Sequence, residues 1–378
     1  MKIICKEDDC FGCLACVNVC PKKCINIAYD NHGFIIPSID ENICINCNRC
    51  INVCPANNLP QLNKPVDVLA GQIKIIENLK ESTSGGIFQA IAMYILKENG
   101  IVCAAKKELD NNLHHVIIRN EFELQDCLKS KYYQSSTEDT FRCIKDALNN
   151  NLRALFCGTP CQVAGLISYL GRPYDNLITC DLVCHGVPSK KVIDSYLAEK
   201  EHLFGAKVSN ILFRDKSRGW DKMRITINFD NGKVYSNIAS YDDFYFGFFR
   251  GLYYRKSCYN CPFAKEERVA DISLGDFWGI EYTKTKIDYT NGVSLILVNT
   301  EKGLKLIDAL DDSILKEKHN LLEAKKFNHN LKGPSHMNHR YKLFYTLLDH
   351  HTFRYSLIKT LPFAYLKFSI KKLFRLFI

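Results

Sequence analysis

The chain has 378 residues, of which 47% are apolar and 24% charged, and a formal net charge of +9. This length predicts two or three domains, and the apolar fraction is enough for a large core. No run reaches the ~18 uninterrupted apolar residues of a membrane-spanning helix, and the opening stretch through Asp9 lacks the apolar core of a signal peptide, so neither is expected. Nineteen cysteines stand in tight, irregular clusters. An odd count so arranged argues against a secreted disulfide framework. Spacings of two and three residues are too short for unstrained bridges but suit metal ligation. A reducing cytoplasm is the expected setting.

The first pattern runs Cys-Phe-Gly-Cys-Leu-Ala-Cys-Val-Asn-Val-Cys-Pro from Cys10, and the second Cys-Ile-Asn-Cys-Asn-Arg-Cys-Ile-Asn-Val-Cys-Pro from Cys44. Both are C-x2-C-x2-C-x3-C-P, the bacterial ferredoxin spacing, in which the fourth cysteine serves the other cluster. Three cysteines two apart wrap three corners of one cubane, and the fourth lies past a short helical turn. The expected ligands are Cys10, Cys13, Cys16 and Cys54 for one [4Fe–4S] cluster, and Cys44, Cys47, Cys50 and Cys20 for the other. Pro21 and Pro55 then turn the chain away. Paired zinc knuckles are the competing reading, but zinc is satisfied by two Cys-x2-Cys pairs and needs neither the third cysteine nor the one before proline. Cys5 and Cys24 fall outside the pattern and read as small buried hydrophobes.

Residues 57–65, rich in Asn, Pro and Leu, read as a linker. Beyond them helical and strand patterns alternate. Helices are expected over 87–96, 140–148, 162–170 and 189–204. Strands are expected over 101–105, 116–118, 154–157, 177–183 and 293–298. Asp230-Asn231-Gly232 between alternating runs predicts a hairpin over 224–235. The fold class is therefore a small ferredoxin-like domain over 1–62, followed by a larger mixed α/β domain over 63–350.

Two stretches of the larger domain suit an organic cofactor. Ser82-Thr83-Ser84-Gly85-Gly86 precedes a helix, where small residues leave N–H groups open to an anion such as a flavin diphosphate. A plain helix cap is the bland reading. Ser130-Lys131-Tyr132-Tyr133-Gln134-Ser135 offers a cation, hydroxyls and an aromatic, and reads equally as a polar surface turn. No G-x-G-x-x-G follows any strand, so a standard dinucleotide fold is not expected. Cys103, Cys127 and Cys143 lie on apolar faces and read as core, and Cys157 and Cys180 as strand neighbours of candidate ligands. Cys161, Cys184, Cys258 and Cys261 lie at strand ends or in a Cys-x2-Cys-Pro turn, where α/β sheets gather sites. A third cluster and a structural zinc both fit these four.

These residues resemble the family of coenzyme F-420-reducing hydrogenase and dehydrogenase beta subunits. That family includes hydroxymethyl chlorophyll reductase and bacterial proteins associated with polysaccharide biosynthesis. The matching pieces are Ser-Thr-Ser-Gly-Gly from Ser82, Ser-Lys-Tyr-Tyr-Gln-Ser from Ser130 and Gly-Thr-Pro-Cys-Gln-Val-Ala-Gly-Leu from Gly158. They continue with Cys-His-Gly-Val-Pro-Ser from Cys184, Phe-Arg-Asp-Lys from Phe213 and Gly219-Trp220. The last are Cys258-x2-Cys261, Arg268, Asp271 and Gly-Asp-Phe-Trp-Gly from Gly275. The resemblance implies FAD in the α/β domain, contacted by Ser82, Ser84, Gly85, Gly86, Ser130, Lys131, Gln134 and Arg268. It also implies a third [4Fe–4S] cluster on Cys161, Cys184, Cys258 and Cys261. His185 and Asp276 are the candidates to place protons, and Arg268 either offsets phosphate charge or pairs with Asp271.

The implied activity is an iron–sulfur flavoprotein oxidoreductase linking a redox partner protein to a small organic substrate. An electron-relay subunit with no substrate of its own is the alternative. Much of the net positive charge sits in residues 351–378, where 361–378 place Phe, Leu and Ile at helical spacing among Lys and Arg. Such a basic amphipathic tail suits either the inner face of an anionic membrane or docking on the main domain. Base-stacking motifs are lacking, so a nucleic-acid partner is not expected.

Overall fold

A computed structural model describes residues 2–374, with side chains through Lys372. In the amino-terminal module each Cys-x2-Cys-x2-Cys loop tightens into a short helix, Ala15–Val19 or Arg49–Asn52. Each helix is entered through a left-handed residue, Leu14 (φ 60°) or Asn48 (φ 61°). Between the loops, β1 (Ile25–Tyr29) and β2 (Ile35–Ile39) form an antiparallel hairpin with Ile25 opposite Ile39.

The larger domain is built on an eight-stranded sheet. Its strands are β3 (Asp67–Ile73), β4 (Ile101–Lys107), β5 (Leu113–Ile118), β6 (Ala154–Cys157) and β7 (Leu177–Leu182). A separate antiparallel sheet holds β8 (Val208–Asp215), β9 (Arg224–Phe229) and β10 (Val234–Ile238). The main sheet is completed by β11 (Ile272–Asp276), β12 (Ser294–Val298) and β13 (Ile314–Lys318), in the order β13-β3-β12-β11-β7-β6-β4-β5. The central strands β4, β6, β7 and β11 are parallel and flanked by antiparallel pairs. Of these, β4, β6 and β7, buried along most of their length, read as apolar runs such as Ala154-Leu155-Phe156.

Helix Ile87–Lys97 packs its apolar side into the core on one face of the sheet. Helices Thr140–Asn149 and Pro160–Leu170 contribute to the core on the other, and that core is shared with the module's Cys13, Cys16, Cys50 and Cys54. The expected helices and strands are all present with ends shifted by a few residues. Strands β3, β8, β11 and β13 are additional. The short β11, Ile-Ser-Leu-Gly-Asp, carries little pattern of its own and becomes a strand by pairing with β7 and β12.

The basic tail is helical over Pro362–Phe374 and docks on the aromatic core around the three-stranded sheet. Tyr365 and Phe368 pack against Phe246, with ring centroids 5.2 and 4.8 Å away. The Tyr365 hydroxyl donates to Asp243 at 2.8 Å. Phe363, Leu366 and Ile370 stay on its exposed side. The sequence beyond residue 374 lies outside the described residues. No helix among the described residues is long and apolar enough to cross a membrane.

Candidate iron–sulfur and cofactor site

The module's eight cysteines gather in the two expected sets. Cys13 and Cys16 each feel the charge of Cys10 and Cys54, so these four thiols share one neighbourhood. Cys20, Cys44, Cys47 and Cys50 line one recess, with Lys2, Lys22 and Arg49 at its edges. Each set has a fifth thiol that the spacing pattern does not signal. Cys5 hydrogen-bonds Cys10 and Cys54, which holds Cys5 protonated and lowers Cys10. Cys24 is buried in the second recess with its sulfur 3.4 Å from that of Cys20. Both read from the sequence as core fillers; tertiary packing instead places each against candidate ligands. Cys103 and Cys127 are core as expected, but Cys143 is exposed, because its helix turns that position outward.

The module is clamped to the domain with the Cys10 set inward. Arg142 donates to the Asn18 and Val17 carbonyls at 2.9 and 2.7 Å, and the Thr137 hydroxyl to the Cys13 carbonyl at 2.9 Å. Buried Arg255 donates to the carbonyls of Cys10 and, at 2.8 Å, Ile35. Helix Pro160–Leu170 comes against Cys13 at Gly165: a Cβ there would lie 2.9 Å from both Cβ and Sγ of Cys13, so only glycine permits this approach.

At the start of that same helix stands Cys161, just beyond β6. Cys184 follows the end of β7, Cys258 lies in the turn Lys256–Asn260, and Cys261 closes that turn. Three separate segments thus bring four thiols close enough for Cys258 to feel each of the others. Burial pushes Cys161 up to about 12 and Cys184 up to about 11. The positive charge of Arg255 faces both this set and Cys10.

Beside the inner thiols, His185 and Asp276 lie within each other's electrostatic reach. His185 is solvent-exposed yet surrounded by protein on most sides, and the desolvation lowers it below the usual imidazole range. Asp276, at the end of β11, accepts from Arg214 at 2.5 Å and from the Trp220 indole at 3.1 Å. Trp220 stacks on Trp278 with centroids 4.8 Å apart, and Arg214 lies over the Trp278 ring. Arg214 and the two tryptophans come from the Phe-Arg-Asp-Lys, Gly-Trp and Gly-Asp-Phe-Trp-Gly segments. Only the fold shows that they form one cluster.

The two stretches considered for a cofactor are neighbours, the Ser130 N–H donating to the Thr83 hydroxyl at 2.9 Å. Much of the first is engaged internally. Ser84 donates to the Val293 carbonyl at 2.9 Å, Ser82 to the Asn78 carbonyl at 2.7 Å, and the Gly85 N–H to the Ser294 hydroxyl at 3.0 Å. Gly86, with φ 77°, caps the helix. Lys131 donates to the Cys127 and Leu128 carbonyls, and Lys216 to those of Leu79, Ser84 and Asn291. Burial pushes each of these lysines down to about 8.

Two expected cofactor contacts lie elsewhere. Gln134 accepts the Ile35 N–H at 2.9 Å and so joins the module to the domain. Arg268 is wholly interior: it meets Asp181, Leu182, Ser273, Phe263 and Lys265, with an Asp181 contact of 2.8 Å, and both members of that pair are almost fully buried (1% and 0% exposed). Its partner is Asp181 and not Asp271, which instead accepts from Thr179 and Thr300. All five guanidinium N–H groups are used, leaving none for a phosphate.

A paired ferredoxin-type cysteine module docked on an α/β domain that gathers four more thiols defines an iron–sulfur electron-transfer protein. Residues 9–58 and 36–100 each match a 4Fe-4S dicluster domain. Residues 152–321 match the family described as the C terminus of the Coenzyme F420 hydrogenase/dehydrogenase beta subunit, a family of oxidoreductase components. No curated protein matches the chain. Among solved structures, a chain of the F420-reducing [NiFe] hydrogenase complex from Methanosarcina barkeri, studied by xenon derivatization, is similar at 18% identity and a TM-score of 0.47. The similarity covers 72% of this chain and 91% of that one.

Proposed function

We propose that this chain is an FAD-dependent iron–sulfur oxidoreductase that works with a redox partner protein and acts on a small organic substrate. In this reading residues 1–62 hold two [4Fe–4S] clusters, on Cys10, Cys13, Cys16 and Cys54 and on Cys20, Cys44, Cys47 and Cys50. Residues 63–350 hold a third, on Cys161, Cys184, Cys258 and Cys261. The observation that carries it is the convergence of this last set from three segments, on a helix whose Gly165 abuts Cys13. The module's second set rings a recess.

Bound clusters exchange single electrons, and a bound flavin exchanges two with an organic substrate. The chain's residues supply position and electrostatics. The Ser82–Gly86 and Ser130–Lys131 stretches, with the half-buried charge of Lys216, would flank the flavin. His185, accessible to solvent and biased toward its neutral form, can take up a proton. Asp276 holds Arg214 in place across the Trp220–Trp278 stack.

Anaerobic purification with iron, sulfide and flavin quantified tests the reading. About twelve irons, four for each of three cubanes, and one FAD per chain are expected. Cys261→Ala should lower the count to about eight. A wild-type count of about eight removes the third cluster, and absence of flavin leaves the electron-relay alternative. The outward Phe363, Leu366 and Ile370 beside Lys367 and Lys371 support a peripheral contact with anionic membrane. Equal flotation with anionic vesicles before and after deletion of residues 362–378 removes that part.

A further inference from the structure

The module's two thiol sets differ in exposure. The Cys10 set is covered by helix Pro160–Leu170 and by Arg255 and Ser257, which both donate to the Cys10 carbonyl. The other set opens outward. Residues 41–49 are exposed except for the half-buried Cys44, and Cys47 itself is exposed. Ile43 and Ile45 stand beside it 49% and 56% exposed. Lys2, Lys22 and Arg49 line the recess, and Lys23 is exposed next to Lys22. The nearby acids are Asp40 and Glu41, and Glu41 accepts the Lys2 backbone N–H at 2.9 Å.

Resting on the cluster reading above, we propose that this face is the docking surface for an acidic one-electron carrier protein. Two exposed isoleucines within a cationic rim have the anatomy of a transient interface, with an apolar centre and a charged edge. Four cations against two acids favour a partner of negative surface charge, and steer its approach. A carrier seated here would sit directly over the Cys47 loop. The other thiol set offers no such access, because the domain itself covers it.

The test uses the full-length, anaerobically loaded protein and an oxidised plant-type [2Fe–2S] ferredoxin as the acidic probe, with binding read by calorimetry. Affinity should fall about tenfold or more between low and physiological salt. At low salt Lys22→Glu with Arg49→Glu should weaken binding about tenfold or more, with iron content and the reduced-state spin signal unchanged. Lys359→Glu, on helix Phe353–Thr360 outside the module, should not change it. Salt-independent binding, binding unaffected by the double variant, or equal weakening by Lys359→Glu overturns the proposal. So does a double variant that keeps ferredoxin binding but loses binding to anionic vesicles. Should the double variant lose iron, Lys22→Gln and the wild-type salt dependence decide by the same criteria. A wild-type protein without iron is a separate result, and refutes the cluster reading itself.

Discussion

Replacing Arg268 with Met separates a structural role from a cofactor role. The side chain holds β7 at Asp181 and Leu182, β11 at Ser273, and the segment after Cys261 at Phe263 and Lys265. Met preserves much of the volume, so the main loss is electrostatic: Asp181 remains fully buried without its cation. Breaking such a pair from one side costs about 3–5 kcal/mol. Denaturant unfolding under anaerobic conditions should show a loss of that size. Adding Asp181→Asn should recover more than half of it, because the stranded charge is then gone.

Burial already holds Asp181 above the usual carboxylate range, with Arg268 opposing that rise. Without Arg268 the folded-state value rises further, so the native variant binds more protons than its unfolded chain. The deficit should therefore shrink as pH falls toward the unfolded Asp value near ~3.9 and grow as pH rises through the folded one. Because Arg268 braces the segments carrying Cys184 and Cys261, iron at the inner set should fall with stability. A variant within about 1 kcal/mol of wild type that keeps its iron but loses flavin would refute this account and restore Arg268 as a cofactor ligand.

Gly85→Ala should destabilise by about 3 kcal/mol, since its Cβ would lie 2.1 Å from the Gly71 carbonyl and 2.6 Å from the Ser294 nitrogen. A shift in unfolding midpoint worth under about 1 kcal/mol would show that the loop relaxes freely. Cys5→Ala and Cys24→Ala should each keep full iron but make one cluster's midpoint potential more negative, on the order of tens of mV, as a thiol hydrogen bond to a ligand sulfur is lost. Loss of four irons would instead identify a ligand. Flavin affinity, followed by fluorescence quenching, should weaken as pH rises through about 8, where Lys131 and Lys216 lose their protons. A flat profile from pH 7 to pH 9.5 would remove these charges from the site.

Features governed by neighbouring residues were readable in the chain itself. The ferredoxin loops depend on spacings of two and three, and the Asp230-Asn231-Gly232 hairpin on its turn residues. The central strands β4, β6 and β7 reveal themselves because burial on both faces demands continuous apolar runs. The inner thiol set was visible as four suggestive positions, but spacing alone left a zinc site equally open. Two of the expected cofactor contacts have long-range partners instead. Arg268 finds Asp181 across 87 positions, and Gln134 meets Ile35 across 99. No local signal distinguishes an arginine that meets a phosphate from one buried against a carboxylate.

The order of residues thus determined the cluster-binding loops, the mixed α/β class and an amphipathic carboxy-terminal helix, because each follows from spacing or periodicity over a few turns of chain. Tertiary structure decided which way the module faces, which polar groups remain available and what the last helix covers. Those outcomes depend on long-range burial: once Gly165 admits Cys13 and Arg142 clamps Asn18, one thiol set is sealed inside and the other is left at the surface.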